Sequence, residues 1–212
     1  MTSPAKNKSV LLRLILGAAI LFAALLLWRL LVPPSLATVA VTADNAYIDG
    51  DVGTLYALSY PHEKRLLNLT PHKIDEVFTT LVRPRLSGFR RVGKMQSTAS
   101  ADGSQGEASQ RLMDPQGDSM EIDATPWITM DGPKINVLYN LLCNAWRAEY
   151  IVKRGLPVTP KTVLQSKLEG LRHDKAYLKS IGLEGFAPDS LSDPVMTWDH
   201  FERSVQTRLD GL

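Results

Sequence analysis

From Leu14 to Trp28 the chain carries no polar side chain. Extended through Arg13 and Arg29 to the limits Val10 and Val32, the run reaches about the 20 residues that cross a hydrocarbon core at a helical rise of 1.5 Å per residue. Arg13 and Arg29 sit where long cationic side chains can snorkel to headgroups, and Trp28 suits the interfacial belt. The reading is a membrane anchor over residues 10–32 behind a short tail, residues 1–9. A cleaved signal peptide is the alternative, with Ser35-Leu36-Ala37 or Val41-Thr42-Ala43 as the cleavage region. The run is longer than the usual signal core of about 7–15 residues, which favours retention. Lys6, Lys8 and Arg13 precede the run, and after Arg29 the next basic residue is Lys64. That asymmetry places the N-terminus in the cytoplasm and the remainder outside a bacterial cytoplasmic membrane.

Charge supports dividing the chain there. All 22 acidic residues lie beyond Val32, with 20 of the 24 basic ones, so the larger part is mildly acidic and lacks the broad basic face of a nucleic-acid binder. Cys143 is the single cysteine, which excludes an intrachain disulfide.

Past a linker assigned to residues 33–41, opened by Pro33-Pro34, helical patterning resumes at Thr42, breaks at Asp49-Gly50-Asp51, and returns through Leu55 and Leu58. Thr70 followed by Pro71 is an N-cap with proline at the first helical position, and Ile74, Val77, Phe78, Leu81 and Val82 follow as one apolar stripe. Pro84 is expected to end that helix. The period then changes. Segments near Phe89–Ser100, Gln105–Met113 and Ser119–Met130 are separated by turn chemistry at Asp102-Gly103 and Asp114-Pro115-Gln116-Gly117. Met120, Ile122 and Ala124 alternate with Glu121, Asp123 and Thr125, as in a half-buried antiparallel strand. A short strand is expected from Lys134 to Val137. A helical stripe from Leu138 to Val152 closes at Gly155. Thr159-Pro160 opens a further helix lined by Leu164, Leu168, Leu171 and Leu178, and a last helix starts at Thr197. Residues 42–155 thus read as an α+β domain, helices packed on a curved antiparallel sheet, with a C-terminal helical extension over 156–212.

The segment Ala43-Asp44-Asn45-Ala46-Tyr47-Ile48-Asp49-Gly50-Asp51, with Leu55 and Leu58 behind it, resembles the opening helix of nuclear-transport-factor-two-like (cystatin-like) domains. The resemblance spans about residues 39–137, and the helices after Leu138 depart from that family's usual final strand. It implies a conical pocket between helix and sheet, which in some members holds an acid/base pair and in others only binds.

The residues placed to act in such a pocket are Tyr47, Asp49, His62, Glu121 and Asp123. Glu121 and Asp123 share one face of their strand, opposite the apolar set, so solvation is their simpler role. Asp49 and Asp51 flank a glycine at a helix junction, where acids cap backbone N–H groups. Arg83, Arg85, Arg90, Arg91 and Lys94 form a run of cations without an acid, which reads either as an anion-binding patch for headgroups near the anchor or as helix-end and edge-strand charge. The histidines are scattered, and neither a phosphate loop nor a dinucleotide fingerprint is present, so no metal or cofactor is implied. These features point to a membrane-anchored extracytoplasmic binding or assembly module, with a protein partner or a second copy of itself as the ligand. The rival is a small-molecule isomerase or dehydratase using a carboxylate or histidine in the cone.

Overall fold

The computed structural model describes residues 15–23, 35–99, 106–124, 126–129, 132–186 and 195–212, and the chain divides into two compact units, 1–34 and 35–212. In the first unit, residues 15–23 form a helix (α1) whose Ile15, Leu16, Ile20, Leu21 and Phe22 are all exposed. Among the described residues no helix is long and apolar enough to cross a membrane. Positions 10–14 and 24–32 of the expected span lie outside the described residues.

The second unit opens with α2, Leu36–Asp49, whose N-cap Ser35 accepts from the Thr38 N–H. This corrects the linker expected over 33–41. Val39, Ala40, Ala43, Ala46 and Tyr47 bury one continuous face, and the helix therefore extends six residues upstream of Thr42. Asp51 caps α3 (Val52–Leu58), accepting from the Thr54 N–H. Tyr60-Pro61 starts a further helix, α4 (Pro61–Leu66), with proline at a position whose N–H would have no helical acceptor.

Thr70 caps α5 (Pro71–Val77), but Pro84 does not stop the helix. The chain widens into a π turn at Phe78–Val82, where the Arg83 N–H reaches back five residues to the Phe78 carbonyl, and continues as α6 (Arg83–Leu86). Proline has no N–H to give the carbonyl four residues back and its ring crowds that carbonyl. One wide turn absorbs both problems.

Three strands follow, β1 (Arg90–Ala99), β2 (Gly106–Met113) and β3 (Ser119–Ala124), paired antiparallel in that order. Leu112 faces Met120 and Gln110 faces Ile122 in the register, so these buried residues form the inner face, over which α2 lies. In β1 the register slips. Gly93, Lys94 and Met95 stand opposite Gln110 alone, and Gly93 takes φ of 73°, a bulge that bends the exposed strand. The turn expected at Asp102-Gly103 lies outside the described residues.

A two-stranded ribbon of β4 (Trp127–Thr129) and β5 (Gly132–Lys134) replaces the single strand expected from Lys134 to Val137. The helix α7 (Val137–Tyr150) already begins there, with Asn136 as N-cap. A short turn of 3₁₀ helix, Val152–Arg154, ends at Gly155 in the left-handed conformation. Thr159 and Thr162 form a capping box at the start of α8 (Pro160–Ser180), and α9 (Trp198–Asp210) is capped by Thr197. Two short strands, β6 (Gly185–Phe186) and β7 (Met196–Thr197), pair ahead of α9.

The boundary expected at 155 is not a domain boundary. Leu164, Leu168, Leu171 and Leu178 of α8 and Trp198, Phe201 and Val205 of α9 belong to the same buried cluster as α2, α5, α7 and the inner sheet face. Their apolar stripes are covered by the domain itself. At the centre, Gly170 of α8 lies so close to Trp146 of α7 that a methyl group on its Cα would stand 2.1 Å from the indole. The α7–α8 approach therefore depends on glycine.

Candidate functional site

A small cavity lies between α2, α3 and the start of α7, lined by Asp44, Tyr47, Leu55, Ile135, Asn140 and Asn144, with no residue of the three-stranded sheet. Its open volume is about 10 Å³, room for one water at most. That is far below the roughly 300–1,000 Å³ of ordinary small-molecule sites.

Of the residues named from the sequence, Tyr47 lines this cavity, whereas Asp49, His62 and Glu121 do not. Asp49 is exposed and pairs with Arg91 across to β1, whereas Asp51 caps α3. Two hydrogen bonds from Thr54, first from its hydroxyl and then from its N–H, hold the Asp51 carboxyl below its ordinary pKa. His62 is buried at the head of α4, its Nδ1 3.3 Å from an Arg65 nitrogen. Glu121 lies on the outer sheet face, exposed, 3.5 Å from Arg111. Asp123 stands opposite Ser109 in the register, and its side chain is outside the described set.

The five cations separate as well. Arg83 stacks over Phe78 at 5.3 Å, Arg90 reaches the Met113 sulfur, Arg91 holds Asp49, and Lys94 occupies the bulge on the outer face. Arg85 overturns its reading as part of an exposed anion patch, because it is buried and already has an anion of its own.

That anion is Asp174. It is 1% exposed, on α8, and it gathers donors from three helices. Arg85 of α6 approaches it in bidentate fashion, Nη1 to Oδ2 at 2.9 Å and Nη2 to Oδ1 at 2.8 Å. Trp146 of α7 donates its indole N–H to Oδ2 at 2.7 Å, and His173 Nδ1 stands 2.8 Å from Oδ1. Arg85 also donates to the Leu81 carbonyl, inside the π turn. Burial acts to lower the Arg85 pKa, but hydrogen bonding and charge from Asp174 outweigh it and the net shift is upward. A planar fork meeting a carboxylate in this way is the strong form of the ion pair.

Arg85 and Asp174 form the floor of an open cleft of about 500 Å³, walled by Leu81, Pro84, Tyr150 and Tyr177 with His173 and Lys153 at the mouth. Burial raises the Tyr150 pKa in spite of the opposing charge and hydrogen bond of Arg85, so its hydroxyl keeps its proton. Lys153 pairs with Glu149 at 2.9 Å. The Tyr177 hydroxyl donates to Thr80 at 3.1 Å. The sequence named Arg85 as one of a run of cations but gave no sign of this cleft, since Asp174 lies 89 residues away and belongs to no motif.

A second buried carboxylate, Glu63 of α4, accepts the Val137 and Leu138 N–H groups at 3.1 and 2.9 Å and so caps α7 from a distance. It completes a helix start and is not open to a ligand. Among the described residues no group of three or more His, Cys, Asp or Glu is arranged to hold a metal ion.

The fold and these sites define an α+β domain with a filled centre and a cleft on its helical side. No protein family, curated protein or solved structure matches the chain.

Proposed function

We propose that the chain is a single-pass protein of a bacterial cytoplasmic membrane, held by residues 10–32 with its N-terminus in the cytoplasm. Its extracytoplasmic domain, residues 35–212, acts as a binding or assembly module and not as a catalyst. The observation that carries the non-catalytic reading is that the cavity beside Tyr47, between α2, α3 and the start of α7, holds only about 10 Å³. A cone enzyme needs a sheltered volume in which a base comes within about 2.6–3.2 Å of a substrate proton. Here Asp49 and Glu121 are on the surface in ion pairs, and Glu63 is committed to a helix terminus. A helix laid across an antiparallel sheet is in keeping with a nuclear-transport-factor-two-like arrangement. The apolar, exposed side chains of α1 are in keeping with an anchor.

The test is made on full-length protein in bacterial cells. Protease added to spheroplasts should digest the domain, and in-cell crosslinking should capture a protein partner or a second copy. Asp49→Asn and Glu121→Gln should both leave that adduct unchanged. A protected C-terminus would overturn the topology. Loss of the cellular role in either isosteric variant, with folding and insertion intact, would overturn the non-catalytic reading.

A further inference from the structure

Asn144 of α7 is 5% exposed, and among the described residues no protein group hydrogen-bonds its side-chain amide. Buried polar side chains in folded proteins nearly always find a partner, either in protein or in ordered water. The Asn144 side chain lines the small cavity between α2, α3 and α7. Asn140, one helical turn earlier on the same face of α7, lines it too. From α2, Asp44 contributes its carboxyl group to the opposite wall, on a residue that is 2% exposed. A carboxyl group has about four lone-pair positions, so a contact elsewhere still leaves it able to accept on the cavity side. Leu55 and Ile135 complete the lining with apolar surface and supply no polar side chain.

We propose that this cavity is a binding site for one internal water, which accepts from the Asn144 amide, donates to the Asp44 carboxyl group, and so joins α7 to α2. Size selects the occupant first. An open volume of about 10 Å³ is close to one water sphere and too small for an organic ligand. Chemistry selects it second. The amide presents N–H donors and the carboxyl group presents acceptors, so the species between them must accept and donate at once. Water does both. A metal cation would serve the oxygens but leave the amide N–H groups facing a like charge, and hard cations require about six oxygen ligands. The site goes beyond the reading of the domain as a binding module and does not depend on it.

The test is X-ray diffraction from crystals of the full-length protein grown in detergent, as wild type and as Asn144→Leu, each with and without a rubidium chloride soak. Leucine keeps about the same bulk and removes the amide. In the wild type a single full-occupancy peak is expected between Asn144 and Asp44, about 2.7–3.2 Å from the amide, with no anomalous rubidium signal. In Asn144→Leu that peak should be lost. A solution measurement accompanies it: the wild-type melting temperature in sodium chloride and in choline chloride at equal ionic strength. A cation bound only by the folded state would raise the sodium value, whereas a water site predicts the same value in both salts. An empty site in the wild type, an Asn144 amide bonded to a protein group, a rubidium peak, a sodium-specific stabilisation, or a peak undiminished in Asn144→Leu would overturn the proposal. Should Asn144→Leu fail to fold, the wild-type density and the two ion measurements decide it alone.

Discussion

Replacing Arg85 with methionine withdraws the guanidinium from a carboxylate that is 1% exposed while keeping much of the side-chain bulk. Asp174 would retain the Trp146 indole at 2.7 Å and His173 at 2.8 Å, so it is not orphaned, yet its charge is left in the interior without a counter-ion. Breaking a buried pair from one side costs about 3–5 kcal/mol, and the two remaining donors put the expected cost near the lower end, about 3 kcal/mol. Asp174→Leu strands the guanidinium and the indole together and should cost about 3–5 kcal/mol. If the sites were independent, the double variant would lose about 6–8 kcal/mol, much of the whole stability of an ordinary domain. The geometry predicts otherwise. With both charges gone, the principal debt is one buried indole N–H without an acceptor, about 1–3 kcal/mol. The assay is urea unfolding of the full-length chain in detergent, followed by far-ultraviolet circular dichroism. At a slope of about 1–3 kcal/mol per molar, Arg85→Met should lower the midpoint by about 1–3 M, and the double variant by no more than either single one. An Arg85→Met midpoint within about 0.3 M of wild type, or additive losses in the double variant, would refute the description of Arg85 and Asp174 as one desolvated unit.

Gly170→Ala should destabilise the domain by about 1–3 kcal/mol, because the new methyl group meets the Trp146 ring at 2.1 Å and the α7–α8 contact must open to admit it. An unchanged melting temperature would show that the two helices are less closely packed than described. Across α8 and α9, Glu202 is held below its usual pKa by hydrogen bonds from Arg172 and then Lys175, and Asp199 by those from Lys175 and then Lys179. A depressed carboxyl pKa stabilises the fold above the unfolded value and loses that contribution as pH falls through the folded one. The α8–α9 clamp should therefore weaken below about pH 4, modestly, since exposed pairs contribute little, and more readily in high salt. Hydrogen exchange of α9 amides against pH reads this directly, and protection that rises on acidification would contradict it. Lys175, raised first by Glu202 and then by Asp199, gives the opposite limb, its contribution fading only as pH climbs beyond about 10.5.

Elements whose signals are local were legible in the sequence. Thr70-Pro71, Thr159-Pro160 and Thr197 each cap a helix where expected, and Gly155 ends one in the left-handed conformation, because a cap and its N–H lie within a turn of each other. The alternation around Met120 and Ile122 chose the buried face of β3, since a strand has only two faces to offer. Where local signals compete with packing, the sequence misled. Pro84 looked like a stop, but a π turn carries the helix past it, and the segment from Leu36 looked like a linker because small residues hide a buried face. The candidate site was the least legible feature. Asp49, His62, Glu121 and Asp123 were chosen for their chemistry and their neighbours in sequence, whereas Asp174 acquires its role only from α6 and α7. Bringing Arg85 and Trp146 within 3 Å of it closes loops of 89 and 28 residues. The sequence by itself determined the helix starts at Thr70, Thr159 and Thr197, the buried face of β3 and the apolar run near the N-terminus. Only the tertiary structure decided that Arg85, Trp146 and Asp174 meet and that the cleft they floor lies on the helical side, because desolvation and ion pairing depend on distances through space and leave no periodic trace along the chain.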